Sequence, residues 1–389
     1  MKKQIIALLL AFTMITGLVA GCGSSSSDTE SAGDTTEEAS DDEESSDADV
    51  EEEEDTAEEV DFDSEENTIR VATQDGQLRT AVEILAYELG YYEEEGVNVE
   101  FVNVTTTEAL TAITTNKSDV DILATGIVPD LTFIANGSDL VIFEGTAVEG
   151  GAIISLEGEA DNYKDLADYG GLTVAMVSNE SAWNVTRGLL VEEGVDIDSI
   201  SIVEVDEQVN VATAVAKGEA DLGFLPIEYA TKSLDLGIEI VYEVGDLEPE
   251  YVCCRQVTSS AKLEEKYDAL VKYSIANLRA WEYFEDEDNQ DEAIAILAEH
   301  SSQTEEYVES YLFTGSTKLS LDPNEYGVID YYNNLLDIGY FDGEGVTIED
   351  HIDTAIYAEA LSTIIERDTE DEFFQEALEI YREYNDSLL

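Results

Sequence analysis

Five short segments combine hydroxyls, carboxylates and glycines in the way that holding a small polar molecule requires. Thr73-Gln74-Asp75-Gly76-Gln77-Leu78 offers Asp75 and Gln77 as hydrogen-bonding groups around Gly76, whose missing Cβ permits close backbone approach. Thr125-Gly126-Ile127 repeats the device with Thr125 and Gly126. Glu149-Gly150-Gly151 serves as a hinge or, through Gly151, as a liner. In Ser178-Asn179-Glu180-Ser181-Ala182-Trp183, the polar groups of Ser178, Asn179 and Ser181 suit an anionic or polar head, and Trp183 either stacks on a ring or fills a core. Pro226 and Glu228 complete the set; Glu228 either pairs with an amine or occupies a first helical turn, where acids are favoured. Arg79 and Arg187 are the cations near these turns, and both read as helix-surface residues.

Catalytic constellations are missing. There is no G-x-x-x-x-G-K-[ST] loop, no H-E-x-x-H and no His/Cys cluster. His300 and His351 lie far along the chain from the five segments and read as helix-surface residues. Cys253 and Cys254 are adjacent, so a disulfide between them strains the backbone. With only two histidines elsewhere they do not compose a zinc site, and they read as two buried free thiols on a strand. No metal or cofactor is called for.

The five segments fall where strands give way to helices. Strand-like runs at 69–72, 97–102, 120–124 and 140–143 alternate with helices over 79–94, 105–115 and 127–135. Thr105 and Glu108 have the spacing of a capping box. The pattern restarts with strands at 172–177, 200–205, 220–225 and 238–244 separated by helices over 181–193, 209–217 and 227–235. After an extended run at 251–258 the chain turns helical over 262–283, 290–299, 304–312, 323–338, 351–367 and 370–385. Alternation of this kind calls for largely parallel sheets flanked by helices. Two such lobes, closing about a hinge on a solute at the carboxyl ends of their strands, describe a type II periplasmic-binding-protein-like α/β fold with a helical C-terminal portion. The divisions are 67–157 for the first lobe, 158–246 for the second, and 247–389 for the return to the first with the C-terminal helices.

Ahead of the lobes the chain is of another character. Lys2-Lys3, an apolar run from Ile5 to Val19, and Leu18-Val19-Ala20-Gly21-Cys22 resemble a bacterial lipoprotein signal over 1–21, with Cys22 as the acylated first mature residue. Residues 22–66 form an acidic disordered tether; 23–66 hold 22 Asp/Glu and no Lys or Arg. The whole chain carries 91 acids against 17 bases, a formal charge of −74, while 43% of it is hydrophobic. That field argues against nucleic acid and against anionic lipid surfaces as partners, whereas a small anion can still be held by helix N-termini.

Several ordered segments resemble one family. Ala86–Glu100 is similar to A-x-x-x-G-x-[FY]-x-x-x-G-[LV]-x-V; Lys164-Asp165-Leu166 with Gly171–Ala175 is similar to D-L-x-G-x-x-V-A; Ala212–Asp221 precedes the Pro-bearing strand end Leu225-Pro226. With 336–341 and 352–357 these resemble the ABC-transporter substrate-binding proteins for nitrate, sulfonates, taurine and thiamine-pyrimidine precursors, over roughly 68–361. The resemblance implies a monomeric, extracytoplasmic, lipid-anchored receptor that delivers a small organic solute to an ABC permease and its ATPase. A surface-anchored sensor of the same fold, and an enzyme of thiamine-pyrimidine formation, are the alternatives it leaves; the enzyme needs a reactive cleft histidine that the turns do not supply.

Overall fold

The structure, a computed structural model, describes residues 62, 64–73, 78–117, 119–178, 180–313 and 317–389. The signal, Cys22, the tether up to residue 61 and the site candidates Asp75, Gly76, Gln77 and Asn179 lie outside the described residues, while the end of the expected tether is ordered, with Glu65–Asn67 a 3-10 turn and Glu65 ion-paired to Arg70 at 2.6 Å.

Chain order runs β1 (Thr68–Thr73), β2 (Asn98–Asn103), β3 (Ile122–Gly126) and β4 (Val141–Val148) in a first sheet. It continues with β5 (Gly151–Leu156), β6 (Thr173–Val177), β7 (Ser201–Val205), β8 (Leu222–Pro226) and β9 (Ile238–Glu243) in a second. Finally β10 (Val252–Thr258) and β11 (Lys318–Leu319) return to the first. The orders are β11-β4-β10-β3-β1-β2 and β7-β6-β8-β5-β9. Each lobe thus has three mutually parallel strands, then one antiparallel strand arriving from the other side of the crossover, β10 in the first lobe and β5 in the second. Because β5 already belongs to the second sheet, the first crossover falls at Glu149-Gly150 and not after residue 157. Periodicity does not announce β5: its run from Gly151 to Ser155 is buried throughout, so alternation between faces is absent.

The same clip opens both lobes. Asp121 accepts a hydrogen bond from the Arg70 N–H at 2.8 Å while its own N–H donates to the Arg70 carbonyl. Asp221 and Thr173 repeat this, with the carboxylate 2.7 Å from the Thr173 nitrogen. Each aspartate therefore fixes the start of the third parallel strand against the first. In the first lobe the clip is buried and ion-paired to Lys262 (2.5 Å) and Lys266 (3.0 Å), which come from the returning helical segment.

The expected helix over 79–94 is two helices, Ala81–Glu88 and Tyr91–Glu95, broken at Gly90 with φ 78°. The capping box at Thr105 forms with both reciprocal bonds and opens the helix Thr106–Thr114. The helix expected to start at Pro323 starts at Glu325, capped by Asn324, whose side chain accepts from the Gly327 N–H at 2.8 Å. Helix Tyr267–Glu285 runs through the core of the first lobe with Leu270, Tyr273, Leu278 and Trp281 buried. Beside it lies Glu144, bonded by Ser274, Asn277 and Gln256 and pushed up to about 7 by burial. Glu83 is fully buried with neither carboxyl oxygen hydrogen-bonded, and burial raises it to about 8. Burial thus favours the protonated form of both acids, Glu83 the more strongly.

Candidate functional site

A cavity of about 900 Å³ lies where the carboxyl ends of the parallel strands of the two sheets meet. Five helices begin along its walls, at Thr106, Ile127, Ser181, Gln208 and Ile227, so the positive ends of their dipoles lie beside it. Size and position match the strand-end crevice at which open α/β sheets hold small molecules.

Of the segments singled out in the sequence, the structure brings Thr125, Gly126, Gly151, Ser178, Ser181, Pro226 and Glu228 to this cavity. Trp183 does not reach it. The indole is buried in the second lobe and packs edge-on against Phe224, ring centroids 5.0 Å apart. Two residues into the helix Ser181–Glu192, position 183 has turned from the mouth toward the sheet, so the core-filling alternative describes it. His300 and His351 are likewise outside: His300 Nδ1 lies 2.8 Å from Glu88, and His351 Nδ1 lies 2.7 Å from the Leu140 carbonyl oxygen.

Arg79 is the chief residue that the sequence reading misplaced. The helix begins at Ala81, not Arg79, so this arginine stands in the strand-to-helix turn and its guanidinium enters the cavity, with Nη1 3.4 Å from Thr125 Oγ1. It forms no ion pair with any carboxylate among the described residues. Burial works against its charge, but Cys254, Tyr311, Cys253 and Glu228 around it hold its pKa above the ordinary value. Arg187 is also no plain surface residue. It is half-buried and donates to the Ile338 carbonyl at 3.0 Å, away from the cavity.

The opposite wall is acidic. Glu228 is buried, its Oε2 has no hydrogen-bond partner, and burial, aided by Glu180, pushes it up to about 7. Glu180 is raised by burial as well, although Gln208 Nε2 donates to it at 3.0 Å and the Ala182 N–H at 3.4 Å. Tyr229, Tyr251, Tyr307 and Tyr311 supply aromatic walls. A cavity lined by a guanidinium without a carboxylate partner among the described residues and by two buried carboxyls can orient a small dipolar molecule between them.

The first crossover is tightly held. Glu149 and Gly150 have φ of 60° and 85°, and a Cβ on Gly150 would stand 2.5 Å from Thr317 Oγ1. Glu149 is held by Lys318 Nζ (2.9 Å) and the Glu250 N–H (3.1 Å), and the Gly151 N–H donates to Tyr251 Oη at 2.8 Å. These bonds tie the first crossover to the second.

Two lobes of this strand order around a strand-end cleft define the periplasmic-binding-protein-like fold. The chain belongs to the NMT1/THI5-like family, whose profile matches residues 78–291. Solved structures agree on the fold. The periplasmic nitrate-binding protein NrtA of Synechocystis PCC 6803 superposes with a TM-score of 0.61 at 14% identity, covering 82% of this chain and 98% of that one. The ligand-binding component of an ABC-type import system from Staphylococcus aureus, solved with zinc bound, gives 0.60 at 13% identity over 76% and 99%. The alkanesulfonate-binding protein SsuA from Xanthomonas axonopodis pv. citri, solved bound to MOPS, gives 0.55 at 17% identity over 74% and 98%. No curated protein matches the chain by sequence. The structure carries no group of three or more His, Cys, Asp or Glu side chains able to hold a metal among the described residues.

Proposed function

We propose that this protein is an extracytoplasmic solute receptor, anchored on the outer face of the cell membrane through acylated Cys22, that captures a small organic molecule by lobe closure and delivers it to an ABC permease. The observation that supports the reading is the Arg79 guanidinium, without a carboxylate partner among the described residues, in one cavity of about 900 Å³ with Glu180 and Glu228. An anionic head on Arg79 and Thr125, with an amine toward Glu228, makes an aminosulfonate of the taurine type the favoured solute. A nitrate-like anion uses only the first wall, and an aminopyrimidine only the second and the tyrosines. The chain acts as a monomer and as a binder, not a catalyst.

Thermal unfolding of the mature chain against taurine, simple alkanesulfonates, nitrate and aminopyrimidines tests this. A solute present at a hundred times its dissociation constant stabilises by about 2.7 kcal/mol. Aminosulfonates should raise the melting temperature most. Stabilisation by nitrate alone, or by none of the panel, would remove the dipolar reading.

A further inference from the structure

Neighbouring residues on a regular strand point to opposite faces. Cys253 and Cys254 do not: both line the cavity, and their sulfurs are 3.3 Å apart. The reason is local. Along β10, Val252 opposes Val148 and Cys254 opposes Ala147, two residues against one, so Cys253 is the extra residue of a β-bulge that turns its side chain toward its neighbour's. A bulge that places two thiols side by side in the wall of a cleft is a specific arrangement, and neither thiol is joined to another cysteine.

We propose that Cys253 and Cys254 form a reversible dithiol–disulfide couple inside the cleft, oxidised by small-molecule disulfides. The Cys254 thiolate attacks one sulfur of the disulfide RS–SR and expels RS⁻, leaving a mixed disulfide on Cys254. Cys253, giving its proton to solvent, then attacks the Cys254 sulfur and expels the second RS⁻. Two electrons pass from the protein to the small disulfide, and the two protons end on two RSH. Adjacent Cα atoms are about 3.8 Å apart across a trans peptide, below the usual span of a disulfide, so the ring is strained and readily reduced. Strain of this kind marks a labile couple rather than a structural staple. The asymmetry between the thiols fits the order of attack. The hydrogen bond from Cys253, with Arg79 and Arg255 nearby, lowers Cys254 to about 7, while that same bond and burial raise Cys253.

The couple also bears on the cleft, and this step rests on its reading as a solute site. Cys254 and the Arg79 guanidinium line the same cavity, so a thiolate there opposes an anionic head seated on Arg79. Oxidation removes that negative sulfur, so the oxidised protein should bind an anionic head severalfold more tightly.

Incubation of the full chain with glutathione disulfide, followed by tryptic mapping, tests the couple. The peptide spanning 233–255 contains both cysteines. It should lose two hydrogens and regain them with dithiothreitol, and Cys253→Ser should instead retain one glutathione on Cys254. A wild-type peptide that stays reduced, or that keeps glutathione without closing the ring, overturns the proposal, whether or not the variant folds. Ring closure in a protein that binds no member of the solute panel leaves the couple standing and removes only the solute reading.

Discussion

The two lobes are built alike and charged unlike. Each places three parallel strands beside one antiparallel strand, and each clips its first strand to its third with an aspartate, Asp121 or Asp221. Yet the first lobe brings Arg79 and the thiols to the cleft, whereas the second brings Glu180 and Glu228. The repeated frame explains why a cleft forms; the unrepeated side chains on the turns decide what it can hold. The clips differ as well, since Asp121 is buried between Lys262 and Lys266 while Asp221 is exposed.

That difference in the clips should produce the largest effect. Asp121→Ala strands two buried lysines and should cost about 3–5 kcal/mol in urea unfolding, while Asp221→Ala should cost only about 1 kcal/mol. Equal losses would mean that the returning helices do not depend on the first clip.

A second effect, on the order of a few kcal/mol, concerns pH. Glu83 is held at about 8, and Glu144 and Glu228 at about 7, all above their unfolded values. The folded state therefore binds more protons than the unfolded one between about pH 4.5 and 8, and stability should fall as pH rises through that window. Glu83→Gln should flatten the upper part of the curve; an unchanged slope would show that Glu83 does not titrate as a buried acid.

Within the cleft, Arg79→Gln should weaken an aminosulfonate by about 1.5–3 kcal/mol, the worth of a charged hydrogen bond, without lowering the melting temperature of the free protein. Equal affinity of variant and wild type by calorimetry would return Arg79 to the background. The smallest expected change is that of Trp183→Phe. It keeps an edge contact with Phe224, should cost about 1 kcal/mol of stability, and should leave solute affinity untouched; a loss of affinity would place the indole back in the site.

The alternating βα frame was legible because strand ends carry Gly and hydroxyl residues and helices carry capping signals such as Thr105–Glu108. The buried strand β5 was not, since burial on both faces erases the period of two. Seven of the candidate cleft residues lie at the cavity because strand-to-helix turns are local in sequence. Arg79 was misplaced by two residues of helix boundary. Tyr307 and Tyr311, far along the chain, reach the cavity only through tertiary packing, for which local pattern holds no signal.

The most direct test is the structure of the protein with a bound aminosulfonate. The account predicts the sulfonate on Arg79 and Thr125, and the amine toward Glu228. A solute seated outside the cleft, or with its anionic end against the second lobe, would contradict it.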